Sequence, residues 1–210
     1  MTILILAAHP DDEVIGVGGT AAKLSKKEDV YVIIFTFGST FPYSEDKYRI
    51  AEKRIKESFY AAKILGIKDI YFIGADYKMN RIHKDKFLIS RVQKIIKDLN
   101  PRVLFYHSLT DGHPDHRAVH RFAKRLKGDF ERYTFEVTSP FDLISSRPKL
   151  YVDITDVFHI KMKAIEYFIS QKQITWFFRY YIPLKARIAG KIIGTKYAEV
   201  FIKDESRFWG

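Results

Sequence analysis

The stretch Ile3-Leu4-Ile5-Leu6-Ala7-Ala8-His9-Pro10-Asp11-Asp12-Glu13-Val14-Ile15-Gly16 decides how the chain is read. Its apolar run has the length and composition of a buried strand. It turns into His-Pro-Asp-Asp-Glu with no ordinary loop between. Proline suits the first position of a helix, where its missing N–H has no partner to lose. His9 is therefore expected as the N-cap, with Asp11 and Asp12 in the first turn, where the helix dipole favours carboxylates. An imidazole and two carboxylates thus gather at the C-terminal end of a strand. In open α/β sheets that is the edge where sites are built.

The same grammar returns about a hundred residues later. Val103-Leu104-Phe105-Tyr106 reads as another buried strand, and a short polar loop over 107–112 leads to His113-Pro114-Asp115-His116. Helix-like residues follow from Arg117 to Leu126. His113 is expected as N-cap with Pro114 at the first helical position, and His113 and His116 share a face. The two junctions together bring His9, Asp11, Asp12, His113, Asp115 and His116 into one cluster.

Such a cluster suits metal-assisted hydrolysis. Two His and one carboxylate make a catalytic zinc shell that leaves a position open for water. The ligands expected are His9, Asp12 and His116. Asp11 is the neighbouring carboxylate available as general base. His113 can stabilise a tetrahedral oxyanion or protonate a leaving amine. Asp115 can orient an imidazole from behind. Zn2+ is the expected metal, although a His/Asp shell also accepts Fe2+, Co2+ or Mn2+. A lone His-Pro-Asp is ordinarily only a helix cap, and an acidic first turn only electrostatic trim. Two of them, each after an apolar strand, favour the metal site.

The motifs Ala-His-Pro-Asp-Asp-Glu and His-Pro-Asp-His-x-x-x-His (His113 to His120) resemble those of the PIG-L/LmbE-like zinc deacetylases, which remove the acetyl group from N-acetylglucosaminyl conjugates and related amides. Weaker signposts extend the resemblance: Arg54-x-x-Glu57 with Ala61-Ala62 and Leu65-Gly66, Asp76 after the next strand, Val152-Asp153-Ile154-Thr155, Ser170-Gln171, and Tyr197-Ala198-Glu199-x-Phe201. By position the resemblance implies His9, Asp12 and His116 as zinc ligands, Asp11 as base and His113 as partner of the oxyanion. It implies that Arg54 and Asp76 contact sugar hydroxyls. One feature departs from the family: an acid often follows Thr-x-Gly, whereas Thr36-Phe37-Gly38 is followed here by Ser39-Thr40. That puts the identity of the sugar in doubt.

Composition sets the limits. The 210 residues suit one domain with a substantial core. There is no cysteine, which excludes disulfides, thiolate ligands and a thiol nucleophile. No apolar stretch approaches the ~18 residues that span a bilayer, and no basic leader precedes the first strand, so a cytoplasmic protein is expected. The net charge of +11 comes without a nucleic-acid-reading motif. A dinucleotide site is also rejected. Gly16, Gly18 and Gly19 lie inside the first helix, and the turn itself would present carboxylates to a pyrophosphate. These glycines are expected to pack the helix on the sheet.

The remaining elements alternate. A strand over 30–37 precedes a loop over 38–44, where Phe41, Pro42 and Tyr43 either line the mouth of the site or sit on the surface. A helix over 45–65 ends at the C-cap Gly66. Its Arg54, judged without the resemblance, reads as a solvated charge. A strand over 70–73, a polar loop over 79–85 with a surface His83, and a helix over 86–99 follow. Later strands are read over 133–137, 149–154 and 197–203, with a loop over 140–148 and a helix over 158–170. His120 reads as a helix-surface or supporting residue rather than a spare ligand. The alternation predicts a Rossmann-like three-layer α/β sandwich with a mostly parallel sheet.

The tail is unusual. From Tyr167 through Ala198 there is no Asp or Glu, while Lys172, Arg179, Lys185, Arg187, Lys191 and Lys196 are present. Trp176, Phe177, Phe178, Tyr180 and Tyr181 crowd ahead of Pro183, and Leu184, Ile188 and Ile192 follow at four-residue spacing. Core packing of the aromatics is the plainer reading. A membrane surface, an acidic glycan and an oligomer interface are the alternatives. The partners expected are a small amino-sugar or glycoconjugate substrate, contact with a membrane or lipid-linked substrate through this tail, and a second copy of the chain in a homo-oligomer. A non-sugar amidase or esterase, or a glycan- or lipid-binding protein with a degenerate site, are the competing functions.

Overall fold

The computed structural model describes residues 1–39, 46–76 and 79–205, with only the backbone given over 172–176. Phe41, Pro42 and Tyr43, and the side chain of Trp176, lie outside the described residues. The chain runs β1 (Thr2–Ala7), α1 (Asp12–Leu24), β2 (Asp29–Ile34), α2 (Lys47–Leu65) and β3 (Asp69–Phe72). It continues through α3 (Lys86–Leu99), β4 (Val103–His107), α4 (Pro114–Ala123), β5 (Glu131–Phe135) and α5 (Phe141–Ile144). The last elements are β6 (Lys149–Asp153), α6 (Phe158–Ile165), α7 (Lys172–Ile192) and β7 (Ala198–Lys203).

The seven strands form one sheet in the order β3-β2-β1-β4-β5-β7-β6. The first five are parallel, and β7 runs antiparallel to both β5 and β6. The expected mostly parallel α/β sandwich is what forms. The chain builds outward from β1 to β3, then returns to the other side of β1 with β4. The order therefore reverses between β1 and β4, the switch point where such sheets leave a crevice at the strand ends. Leu6 pairs with Tyr106 in that register, so the two His-Pro-Asp motifs leave adjacent strands at the same edge.

The apolar run of β1 has no polar alternation because both its faces are covered. Ile3, Ile5 and Ala7 join the core under α1, α2, α6 and α7, while Leu4, Leu6 and Ala8 join the core under α3 and α4. The glycines of α1 pack as expected. A Cβ on Gly19 would stand 2.6 Å from Ile154, and one on Gly16 would collide with the Phe135 ring.

Several local expectations are corrected. The segment Met79–Lys84 is a 3-10 helix rather than a loop, and α5 interrupts the loop expected over 140–148. The helix expected over 158–170 stops at Ile165, followed by a 3-10 turn at Ile169–Gln171. β4 extends through His107, where a loop was expected to begin. α7 continues through Pro183. Proline removes one ladder hydrogen bond there, but burial of Phe178, Ile182, Ala186 and Ala189 along one side holds the helix on the protein.

A buried ion pair ties α1 to α6 and to the antiparallel strand β7. Lys161 of α6 lies 2.5 Å from Glu199 of β7 and donates to the Ile15 carbonyl at 2.7 Å. Glu199 accepts from the amides of Gly19 and Thr20 at 2.9 and 2.7 Å. Removing one partner leaves a buried charge uncompensated. Lys161→Met is thus expected to lower the free energy of unfolding by about 3–5 kcal/mol, read by denaturant unfolding. A loss under about 1 kcal/mol would mean the pair contributes little beyond ordinary packing.

Candidate metal and catalytic site

The first motif does not start its helix as a simple proline cap. α1 begins at Asp12, and the N-cap position belongs to Asp11, with φ 111°. This corrects the expectation that His9 caps a helix starting at Pro10. The reason is local. The Asp12 carboxylate reaches back to accept the His9 amide at 2.8 Å, and Glu13 accepts the Asp11 amide at 3.2 Å. Those bonds bend the chain around Pro10 and force Asp11 into the left-handed region, at a typical cost of about 1–3 kcal/mol. The Asp11 side chain makes no capping hydrogen bond. The second motif behaves as expected: His113 is the N-cap of α4, Pro114 is its first residue, and the ring Nδ1 of His113 accepts the Asp115 amide at 3.2 Å.

Asp12 is the centre of the cluster. Its Oδ2 lies 3.3 Å from His9 Nδ1 and 3.3 Å from His107 Nε2, and its Oδ1 lies 3.2 Å from His116 Nε2. The rings of His107 and His116 stack at 4.0 Å. Behind the imidazoles stand two more carboxylates. Asp115 Oδ2 meets His9 Nε2 at 3.1 Å, and Asp111 Oδ1 meets His116 Nδ1 at 2.9 Å. A carboxylate oxygen only accepts, so those ring nitrogens carry the protons. The nitrogens facing Asp12 are then left with lone pairs in the neutral tautomers. Asp111 is itself fixed by the Val137 amide at 2.7 Å and the Thr138 hydroxyl at 2.5 Å.

The structure therefore brings His9, Asp11, Asp12, His113, Asp115 and His116 to one edge, and adds His107 and Asp111. Neither addition stood out in the sequence. His107 ends the apolar run of β4, and its depth depends on the pairing of β4 with β1. Its Nε2 accepts the Ala8 amide at 3.1 Å. Asp111 sits two residues ahead of the second motif and accepts the His113 amide at 3.0 Å, an Asx-type signal that the sequence does carry. His120 stands behind, with Nδ1 3.0 Å from the His107 carbonyl.

Electrostatics follow from this packing. Burial disfavours charge on His9 and His116, but hydrogen bonds and charges from Asp115, Asp12 and Asp111 outweigh it, raising His9 to about 10 and His116 to about 9. Burial and the neighbouring His116 push His107 down to about 4. Burial and the adjacent Asp12 charge hold Asp11 well above the usual carboxylate range. Against its burial, Asp12 is held well below that range by His116 and His107. The site draws positive charge to its centre, where two buried imidazoles take protons to satisfy one carboxylate.

That donor set fits a divalent cation. His9, His113 and His116 form one group able to hold a metal ion, and Asp12, His107 and His116 form another. Asp12 faces both imidazoles, one through each oxygen: Oδ1 lies 3.2 Å from His116 Nε2 and Oδ2 3.3 Å from His9 Nδ1. The carboxylates behind His9 and His116 supply the outer hydrogen bonds that such ligands use.

Around this centre, Arg54 is buried rather than solvated, which corrects its reading from the helix pattern. Its guanidinium donates to the Gly38 carbonyl and faces the charges of Asp11, Glu57 and Asp76. Asp76 accepts the Phe37 amide through both oxygens, at 3.1 and 3.0 Å. Gln171 donates to the Pro10 carbonyl at 2.8 Å, and Glu57 accepts the Ser170 amide at 2.8 Å.

The family model described as PIG-L: GlcNAc-PI de-N-acetylase matches residues 4–127. The chain belongs to the PIG-L family. Diacetylchitobiose deacetylase of Thermococcus kodakarensis is 27% identical over 223 residues, covering 94% of this chain and 80% of the relative. Among solved structures, N,N'-diacetylchitobiose deacetylase from Pyrococcus horikoshii, complexed with its inhibitor, superposes with TM-score 0.81 at 25% identity, covering 97% of this chain and 83% of that one. The 4-carboxy-2-hydroxymuconate hydratase from Pseudomonas putida superposes with TM-score 0.82 at 22% identity, covering 100% of this chain and 98% of that one. This PIG-L fold is therefore shared with a protein named for different chemistry.

The strained Asp11 backbone gives a test that does not depend on activity. Asp11→Gly relieves the positive φ and removes a buried carboxylate, and is expected to raise the free energy of unfolding by about 1 kcal/mol. Denaturant unfolding reads this directly. A clear loss of stability would show that the carboxylate itself holds the turn.

Proposed function

We propose that the protein is a metal-dependent hydrolase that removes the N-acetyl group from an N-acetylglucosamine-containing conjugate or related amino sugar. The observation that carries the proposal is the pair of imidazoles, His9 and His116, aimed at Asp12 by the carboxylates behind them, beside the buried carboxylate of Asp11, which makes no capping hydrogen bond. His9, Asp12 and His116 are assigned as the ligands and Zn2+ as the metal, with Fe2+ or Co2+ compatible with the same donors. The relatives named as deacetylases support the reaction class.

A cation bound there supplies Lewis acidity, acidifying a water and polarising the acyl carbonyl. Asp11 takes the proton of the attacking water as general base. His113 donates to the developing oxyanion. Its Nδ1 is occupied by the Asp115 amide at 3.2 Å, so the neutral ring carries its proton on Nε2. Burial and the charges of His9 and His116 lower its proton affinity and keep it in that form. The proton held by Asp11 then passes to the leaving nitrogen, giving acetate and a free amine. Asp115 positions His9. Arg54 and Asp76 are assigned to substrate hydroxyls. The missing acid after Thr36-Phe37-Gly38 argues for a sugar gripped differently from that of the relatives.

The test is acetate release from N,N'-diacetylchitobiose and N-acetylglucosamine by the metal-loaded protein, alongside Asp11→Asn. The variant is expected to keep its metal and lose about 10²–10⁴-fold in turnover. Near-parental turnover would remove Asp11 as the base. A metal-loaded protein that releases no acetate from any acetylated sugar would leave a non-sugar amide or the hydratase chemistry as the reaction.

A further inference from the structure

The 21-residue helix α7 has two unlike faces. Phe178, Ile182, Ala186 and Ala189 are buried against the protein. Phe177, Tyr180, Leu184, Ile188 and Ile192 follow one another at three- and four-residue steps, so they share the opposite face. They keep 58, 66, 60, 43 and 54% of their surface exposed. An apolar stripe about four turns long is an organised surface rather than a scatter of single exposed residues.

The stripe is accompanied by positive charge. Arg179, Arg187 and Lys191 are exposed on the same helix, and Lys196 is exposed just beyond it. Arg187 also lies over the Tyr197 ring at 5.9 Å. Lys185 instead turns inward to Asp142 at 2.6 Å. No Asp or Glu occurs between Tyr167 and Ala198.

We propose that α7 is a docking surface for an anionic lipid membrane, lying in the headgroup plane with the Phe177–Ile192 stripe sunk toward the acyl chains. The choice of occupant rests on charge. A two-fold contact with a second copy sets the same patch against itself. It would bring the cationic side of one α7, with Arg179, Arg187 and Lys191, up to the cationic side of the other, with no carboxylate on α7 to offset the charge. An anionic headgroup layer offsets them directly. The helix lies on the membrane rather than through it, because no helix among the described residues is long and apolar enough to cross. α7 follows Gln171, which donates to the Pro10 carbonyl at 2.8 Å, so the helix begins beside the first His-Pro-Asp motif. The inference rests on α7 alone and not on the deacetylase reading.

The experiment is co-sedimentation of the full chain with vesicles of phosphatidylcholine containing about one-third phosphatidylglycerol, compared with pure phosphatidylcholine, at low and high salt. The protein is expected to pellet with the anionic vesicles and to be released by salt. Binding is expected to fall at least about tenfold in Leu184→Gln/Ile188→Gln and in Arg187→Gln/Lys191→Gln, with midpoints of thermal unfolding unchanged. No binding to anionic vesicles overturns the proposal, as does equal binding by both double variants. A dimer in solution that Leu184→Gln/Ile188→Gln dissociates, without vesicle binding, also overturns it and makes the stripe an interface between copies.

Discussion

One buried carboxylate, Asp12, organises the C-terminal edge of the sheet. A charge at that depth is costly unless it is paired and hydrogen-bonded. Two imidazoles and one backbone amide pair with it, from His9 beside it and His116 in the first turn of α4, while the His107 ring at the end of β4 packs against it. The convergence requires β1 and β4 to be neighbours, and the reversal of strand order between them makes them so. It also requires fixed tautomers, which Asp115 and Asp111 impose from behind. Fold and site are in this sense a single arrangement. Each motif alone would cap a helix, and the sheet gathers the two into one cluster of imidazoles and carboxylates that could hold a metal ion.

The family match ends at residue 127, but later residues complete the arrangement. Gln171 holds the carbonyl of Pro10, Ser170 engages Glu57 one turn beyond Arg54, and Glu199 accepts amides from the middle of α1. The contacts of Gln171 and Glu199 reach back to the first motif and to the helix it opens, and that of Ser170 braces α2, which carries Arg54. The weak signposts Ser170-Gln171 and Tyr197-Ala198-Glu199 thus have a physical use. They fix the orientation of α1, and through it the direction in which Asp11 and Asp12 point.

Much of this was legible from residues alone, for identifiable reasons. Ile3–Leu6 and Val103–Tyr106 lack alternation because both faces are buried, and a proline after a histidine marks a helix start. The rest depends on tertiary contacts that local pattern does not carry. Pro10 reads as a first helical residue, yet the bond from the His9 amide to Asp12 delays the helix and strains Asp11. Arg54 reads as one more charge on an amphipathic helix, and is buried only because Asp11, Glu57 and Asp76 surround it. His107 reads as the start of a loop until its register beside Ala8 is known. The tail divides the two readings offered for its aromatics: Phe178 packs in the core and Phe177 faces outward.

The central claim is that His9, Asp12 and His116 together hold one divalent cation. Calorimetric titration of Zn2+ into the chelator-stripped protein tests it most directly, with His116→Ala titrated in parallel. The account predicts about one ion per chain, with protons released as the imidazoles give up the charge that Asp12 draws to them, and uptake weakened by orders of magnitude in the variant. No uptake, or uptake undiminished in His116→Ala, would contradict it and reduce the two His-Pro-Asp junctions to helix caps.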